Sequence, residues 1–363
     1  MSLTRLNVKH VRNLQDVQIL PSPGLNLIVG DNASGKTSLL EAIYLLGMGR
    51  SFRSINIKHV IQQEASSLVV FGSVENTSSV PSQEINLGIE KQRDKTRIKV
   101  AGDWVKNASS LVMHLPLQLI TPDSHKLIEQ GPRYRRQFMD WGVFHVEHRF
   151  HETWARFQKA LKQRNAGLKQ NIPAKSLQVW NQELYNTVLI INEMRQRYIS
   201  ELMPIAQQRI FQLTGLDDIR LSYQQGWKQG MDYQEYLSQQ ESLDREAGYT
   251  RYGLHRADIA IRQSGMAAAE RVSRGQQKLL ACALRLAQVE HLKNKRDIHS
   301  LVMVDDLPAE LDQQRRECFL QMLRELDIQV FVTATEEGLI SNKDLWKERK
   351  MFHVEHGQVR EVV

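Results

Sequence analysis

Apolar and polar residues alternate through Leu3-Thr4-Arg5-Leu6-Asn7-Val8, and a mostly apolar run follows at Leu25-Asn26-Leu27-Ile28-Val29. A period of two predicts short strands over residues 3–29, the last of them buried on both faces and leading into a glycine-rich loop. The pattern then changes. Ser38-Leu39-Leu40-Glu41-Ala42-Ile43-Tyr44-Leu45-Leu46 is built of strong helix formers and meets Gly47 and Gly49, which predicts a helix ending there. Residues 68–76, 84–91 and 95–100 read as antiparallel strands of a side sheet, joined by a Ser-rich polar loop and by Arg93-Asp94.

From about residue 132 to 247 helix formers dominate, and Phe150, Trp154, Phe157 and Leu161 recur at helical spacing. Trp180, Leu184, Val188, Ile191 and Arg195 mark a second amphipathic helix, and Pro204 is expected to open or kink a third. The stretch has no long heptad run, so a compact lobe is expected in place of an extended coiled-coil arm. Strand character returns over Gly253 to Ile261, followed by a helix from about Arg274 to Lys295. Leu301–Val304 and Gln329–Val332 read as buried strands on either side of a helix from Ala309 to Leu326, which fits a parallel or mixed sheet. Phe352-His353-Val354 and Val359-Arg360-Glu361-Val362, with His356-Gly357 between them, predict a terminal hairpin.

The expected fold is thus α/β, with a mixed sheet and an antiparallel side sheet in a head made of residues 1–125 and 250–363. Residues 126–249 form a helical insert.

Composition narrows the class. The chain has 363 residues, 41% hydrophobic and 25% charged, which suits about two globular domains. Its longest apolar runs are strand-length, and Met1-Ser2-Leu3-Thr4-Arg5 lacks the apolar core of a secretory signal, so a cytoplasmic protein with no membrane partner is expected. Two cysteines, Cys282 and Cys318, are too few for a disulfide framework or a zinc site and read as reduced core residues. The net charge of +7 favours an anionic partner without identifying one. Basic residues concentrate between Arg133 and Lys169.

The chemistry sits at the two ends of the chain. Gly30-Asp31-Asn32-Ala33-Ser34-Gly35-Lys36-Thr37, followed by Ser38, has the spacing of a strand-to-helix turn whose backbone N–H groups cradle phosphates. Lys36 would neutralise the β- and γ-phosphates, and the Thr37 hydroxyl would ligate Mg²⁺. Leu301-Val302-Met303-Val304-Asp305 is an apolar strand ending in a carboxylate, which makes Asp305 the second candidate for the Mg²⁺ site. Asp306 follows, either as the group that polarises the attacking water or as a solvent-facing strand end. Ser273-Arg274-Gly275-Gln276-Gln277 opens a helix. Its Ser273 is either a plain N-cap or part of a second phosphate site facing another subunit's γ-phosphate.

These segments together resemble the ATP-binding-cassette class of DNA-repair ATPases: Walker A at 30–37, a signature-like stretch at 273–277, Walker B at 301–306 and a D-loop at Ala309-Glu310-Leu311-Asp312. More closely, the chain is similar to the RecF family of bacterial recombination mediators. The likeness rests on Val11-Arg12-Asn13-Leu14, Gly47 to Ser54, Leu115-Pro116-Leu117-Gln118 with Thr121-Pro122-Asp123, and Gly131-Pro132-Arg133-Tyr134-Arg135-Arg136. Lys162-Gln163-Arg164-Asn165 and Val332-Thr333-Ala334-Thr335 extend it over essentially the whole chain. Departures fall where the family reads Gly-Pro-His-Arg-Asp-Asp and this chain has Gly253-Leu254-His255-Arg256-Ala257-Asp258, and at Leu307-Pro308 after Walker B.

The resemblance implies an ATP- and Mg²⁺-dependent homodimer that binds duplex, gapped or single-stranded DNA, with slow hydrolysis as a reset. It implies a role in recombinase loading, replication restart and SOS induction, with RecO and RecR as partners. Gln118 fits either a Q-loop that senses Mg²⁺ and γ-phosphate or a structural glutamine. Arg12 fits either a nucleotide contact or a surface arginine. Lys159, Lys162, Arg164 and Lys169, assigned to the helix face opposite the aromatic stripe, are candidates for DNA contact or for a solvated charged face. Two other readings share parts of this pattern, the ATPase subunit of a membrane transporter and a nucleotide-regulated scaffold.

Overall fold

A computed structural model describes residues 1–76, 83–307, 311–340 and 343–362. The Ser-rich loop, Pro308 and the Ala309-Glu310 half of the D-loop lie outside the described residues. The chain divides into two compact units, residues 1–124 with 292–363, and residues 125–291. By compactness, residues 250–291 therefore group with the middle of the chain and not with the head in which they were expected.

The first unit contains both anticipated sheets. Strands β1 (Ser2–Val11) and β2 (Leu14–Ile19) form the opening hairpin, and β4 (Ser67–Asn76), β5 (Gln83–Gln92), β6 (Thr96–Val100) and the short β7 (Asp103–Val105) continue an antiparallel sheet in the order β2-β1-β4-β5-β6-β7. The second sheet runs β15-β14-β3-β13-β12-β8, using β3 (Leu25–Val29), β8 (Leu117–Ile120), β12 (Leu301–Val304), β13 (Val330–Ala334), β14 (Arg349–Glu355) and β15 (Gln358–Glu361). All its pairings are parallel except the terminal β14–β15 hairpin. Its central strands are buried along their whole length, as their apolar runs require.

The helix Lys36–Met48 packs into the core cluster formed with residues of both sheets. Two glycines permit the close approach. A Cβ on Gly47 would lie 2.3 Å from Leu117 Cδ2, and one on Gly72 would lie 2.5 Å from Leu46 Cδ2. Gly47 is therefore an interior helix residue, and the end falls at Gly49, whose left-handed backbone (φ 66°) returns its N–H to the Leu45 carbonyl. Polar groups complete the stitching. The buried Gln329 amide accepts from Leu3 N–H and donates to the carbonyls of Leu3 and Ser22, acting as a piece of strand between β1 and the chain before β3.

The second unit is helical, with helices Pro132–Val146, Phe150–Lys169 and Ala174–Thr214, but it also holds a three-stranded antiparallel sheet. That sheet runs β11-β10-β9, from β9 (Ile219–Gln224), β10 (Asp258–Gln263) and β11 (Met266–Ala267). The strand anticipated at Gly253 starts only at Asp258, because Leu254–Arg256 forms a 3-10 turn. Pro204 neither opens nor ends a helix: Ala174–Thr214 runs through it as one element of 41 residues. The cost of its missing N–H, about 3 kcal/mol in a helix interior, is offset by the fourteen buried residues along that helix. The aromatic stripe is core, as its spacing implied. Phe150 and Phe157 are buried, with the Phe150 and Trp154 rings stacked at 5.8 Å.

Candidate functional site

The loop after β3 has the backbone that its glycines allow. Gly30 (φ 150°) and Gly35 (φ 124°) lie in regions that disfavour side chains, and a Cβ on Gly30 would sit 2.1 Å from the Val354 carbonyl oxygen. Gly35 is the N-cap of helix Lys36–Met48 and has no side chain to satisfy the first helical amides, so these face the loop's concavity with the positive end of the helix behind them. The Ser34 carbonyl is held by two donors, Asn13 Nδ2 and Gly357 N–H, both at 2.9 Å. The opening hairpin and the C-terminal hairpin thus clamp the same peptide. Ser34 Oγ is buried and makes no hydrogen bond.

The sequence-predicted charges converge on this loop. Lys36 Nζ donates to the Gly30 and Asp31 carbonyls at 2.6 and 2.7 Å. Burial lowers its pKa, opposed by the carboxylates of Asp306, Asp305 and Asp31. Asp305 Oδ1 accepts from Thr37 Oγ1 at 2.9 Å and from Thr333 Oγ1 at 3.0 Å, bridging residues 268 positions apart in the chain. Burial raises the Asp305 pKa, and the two hydroxyls oppose that shift. Asp306 has a left-handed backbone (φ 55°), fixed by its N–H donating to Thr333 Oγ1 at 2.7 Å. One hydroxyl, that of Thr333, thus holds both the Asp305 carboxylate and the Asp306 backbone.

The donor set fits a phosphate-bound Mg²⁺. A hydroxyl and a carboxylate share one oxygen-rich point, glycine backbone surrounds it, and one buried hydroxyl, Ser34 Oγ, is unsatisfied. Thr37 and Asp305 would hold the ion, which would supply charge neutralisation on the phosphate oxygens.

Other candidates fall elsewhere. Gln118 is buried inside β8, paired in register with Val302, whereas Ile120 is opposite Val304 at the strand end. At a rise of about 3.3 Å per residue, Gln118 stands about 7 Å short of the edge where Asp305 emerges. Arg12 forms a two-pronged ion pair with Glu41 at 2.8 and 2.9 Å, and also donates to the His59 carbonyl. Glu41, which the sequence reading passed over, is fully buried and also accepts from Ser51 Oγ and pairs with Arg53 at 3.7 Å. It lies one helical turn beyond Thr37, so it ties the phosphate-loop helix to the loop at 51–59. Nothing in local pattern marks a glutamate as buried, and only the nearby Arg12 and Arg53 hint at it.

Glu41→Ala would leave the half-buried Arg12 without a counter-ion. A loss of about 2–3 kcal/mol is expected, below the full cost of an orphaned buried charge because water reaches both arginines. Arg53→Ala, which removes the longer and more exposed pair, should cost under about 1 kcal/mol. Urea unfolding midpoints of the two variants check this order, and equal shifts would refute it.

In the second unit, Ser273 is exposed and caps the helix Arg274–Arg296 reciprocally. Its N–H donates to Gln276 Oε1 at 3.0 Å and its Oγ accepts from Gln276 N–H at 3.3 Å. The DNA-contact candidates separate. Lys159, Lys162 and Lys169 are exposed on helix Phe150–Lys169. Arg164 is not: it is fully buried, bonded to Asp244 Oδ2 at 2.8 Å, Thr250 Oγ1 at 2.7 Å and Asn181 Oδ1 at 2.7 Å. Arg164 lies seven residues, two turns, beyond Phe157 and so shares the core face. It cannot contact DNA in this fold.

Comparison with known proteins agrees with this architecture. Residues 2–359 match the model of the RecF/RecN/SMC N-terminal domain family. The DNA replication and repair protein RecF of Pseudomonas aeruginosa (strain LESB58) is 46% identical over 364 residues, covering 99% of this chain and 97% of that protein. RecF of Shewanella sediminis is 43% identical over 360 residues, covering 99% of each. Among solved structures, the recombination mediator protein RecF-ATP of the RecFOR pathway superposes with a TM-score of 0.88 at 24% identity, covering 99% of this chain and 97% of that one. An Smc head bound to the C-winged helix domain of ScpA follows the same fold at a TM-score of 0.60 and 16% identity, covering 100% and 97%. With near-complete coverage at more than 40% identity, and the phosphate loop and its acidic strand assembled in the matching fold, the chain belongs to the RecF family of DNA replication and repair proteins.

Proposed function

We propose that the chain is an ATP-driven DNA clamp acting in recombinational repair and replication restart. The carrying observation is the assembled cradle, in which Lys36, Thr37, Asp305 and Thr333 converge on a glycine loop at a helix N-terminus. Lys36 and the first helical amides bind the phosphates, and Thr37 and Asp305 hold Mg²⁺. Asp306, fixed by Thr333, orients the attacking water. Ser273 of a second copy completes the γ-phosphate shell, so ATP joins two heads and slow hydrolysis parts them. Exposed Lys159, Lys162 and Lys169 provide a basic face for DNA. The RecF relatives support the repair role, the relative described as RecF-ATP of the RecFOR pathway supports ATP binding, and RecO and RecR follow as partners. Recombinase loading and SOS induction extend the same reading.

Among the described residues no helix is long and apolar enough to cross a membrane, and nothing specific favours a transporter ATPase. The test is sedimentation with and without ATP and gapped DNA over a salt series. The clamp requires an ATP-dependent dimer whose DNA affinity falls steeply with salt. A monomer under all conditions, with no DNA bound at low salt, would refute it.

A further inference from the structure

The second unit contains a cavity of about 830 Å³ that the ATP chemistry does not use. It opens between the Pro204 region of helix Ala174–Thr214 and the end of β9 with the turn that follows. Its volume is in the range of sites that hold a compact organic ligand.

The lining is particular. It holds four glutamines, two tyrosines, Trp227 and Arg256, and no carboxylate. Trp227 is held in place, its Nε1 donating to the Met231 carbonyl at 3.2 Å and its ring set 4.9 Å from that of Tyr233. Tyr223 Oη is buried beside the Arg195 guanidinium. Pro204 brings no N–H to the Ser200 carbonyl, and both residues line the space. Among the described residues, the exposed side chain of Arg256 makes no hydrogen bond or ion pair. The rim is rigid. Gly226 (φ 90°) accepts from Gly253 N–H at 3.1 Å, and a Cβ on Gly226 would lie 2.3 Å from the Gly253 carbonyl oxygen.

We propose that this cavity is a pocket for a single unpaired nucleobase, with Arg256 on the adjoining phosphate. A flat ring fixed in place offers a stacking surface that accepts any base. Glutamine side chains present paired donors and acceptors suited to a heterocycle's edge. A lining without carboxylates leaves the positive rim unopposed. The pocket would give a clamp a means of distinguishing a gap from continuous duplex, because only a gap supplies an unstacked base. The inference rests on the DNA-clamp reading for the source of that base; a free nucleotide presents the same chemistry, and titration with dAMP separates the two.

The experiment uses the full chain with ATP, a gapped duplex carrying 2-aminopurine at successive gap positions, and the matching continuous duplex. The wild type should quench the fluorophore at one or two positions and prefer the gap. Trp227→Ala, and separately Arg256→Gln as a gentler variant, should lose the quenching. These variants should bind gapped DNA about tenfold more weakly, since base–aromatic stacking supplies roughly that factor or more. Affinity for continuous duplex should stay unchanged. If wild type and variants bind gapped DNA equally while wild type binds DNA, the pocket proposal is overturned and the clamp stands. If wild type binds no DNA, the clamp fails, and titration with dAMP decides the pocket. Saturable binding lost in Arg256→Gln supports a free-nucleotide site, and no binding ends the proposal.

Discussion

Lys36→Met is expected to leave the protein folded and to weaken ATP binding by at least about a hundredfold, since charge-assisted hydrogen bonds contribute about 1.5–3 kcal/mol each and at least two are lost. The charge balance explains the size of the effect. Asp31, Asp305 and Asp306 all act electrostatically on the Lys36 ammonium, whose pKa burial alone would lower. Without it, a polyphosphate would enter a site whose three carboxylates repel it.

Stability should change little, because Lys36 is only half-buried and its two partners are loop carbonyls that water can reach on its removal. Titration with a fluorescent ATP analogue, beside a thermal melt, separates the two quantities. Binding within threefold of wild type would remove Lys36 from the phosphate site.

This site was legible because its determinants are local. A buried strand, glycines at fixed spacing and a run of helix formers act within ten residues of one another, and β12 with Asp305 follows the same rule. What stayed hidden depends on partners distant in the chain. Arg164 reads as one more cation in a basic stretch, and only Asp244, Thr250 and Asn181 make its burial tolerable. Glu41 is hidden for the same reason, since a carboxylate's burial is decided by Arg12 and Ser51. Pro204 misled because helix propensity is local, whereas the packing that carries the helix across it is tertiary. Gln118 fits a sensor or a structural glutamine equally by its neighbours, because strand ends are the least determined part of any local pattern, and only the register with Val302 sets it inside β8. The clamp on the Ser34 carbonyl joins Asn13 to Gly357, near opposite ends of the chain, and no spacing rule reaches that far.

Ser273→Asp is expected to abolish ATP-dependent dimerisation while leaving ATP binding by the single chain and its stability near wild type. The geometry makes this substitution more informative than Ser273→Arg, for which the same loss of dimer is expected. Ser273 caps its helix, with Gln276 closing the box from the other side, so removing the hydroxyl would itself cost about 1 kcal/mol and confuse the result. Aspartate caps as well as serine and adds a negative charge at a helix N-terminus, where the helix favours it. Within one chain the variant is therefore benign or slightly stabilising. Facing another copy's γ-phosphate, the same carboxylate would repel it in a desolvated interface, where like charges cost several kcal/mol.

Ser273→Ala completes the comparison, since it loses the cap but adds no charge and should weaken the dimer only partly. Analytical ultracentrifugation with ATP orders the three proteins. If Ser273→Asp forms dimers as wild type does, Ser273 is a helix cap alone and the γ-phosphate must be completed by other residues.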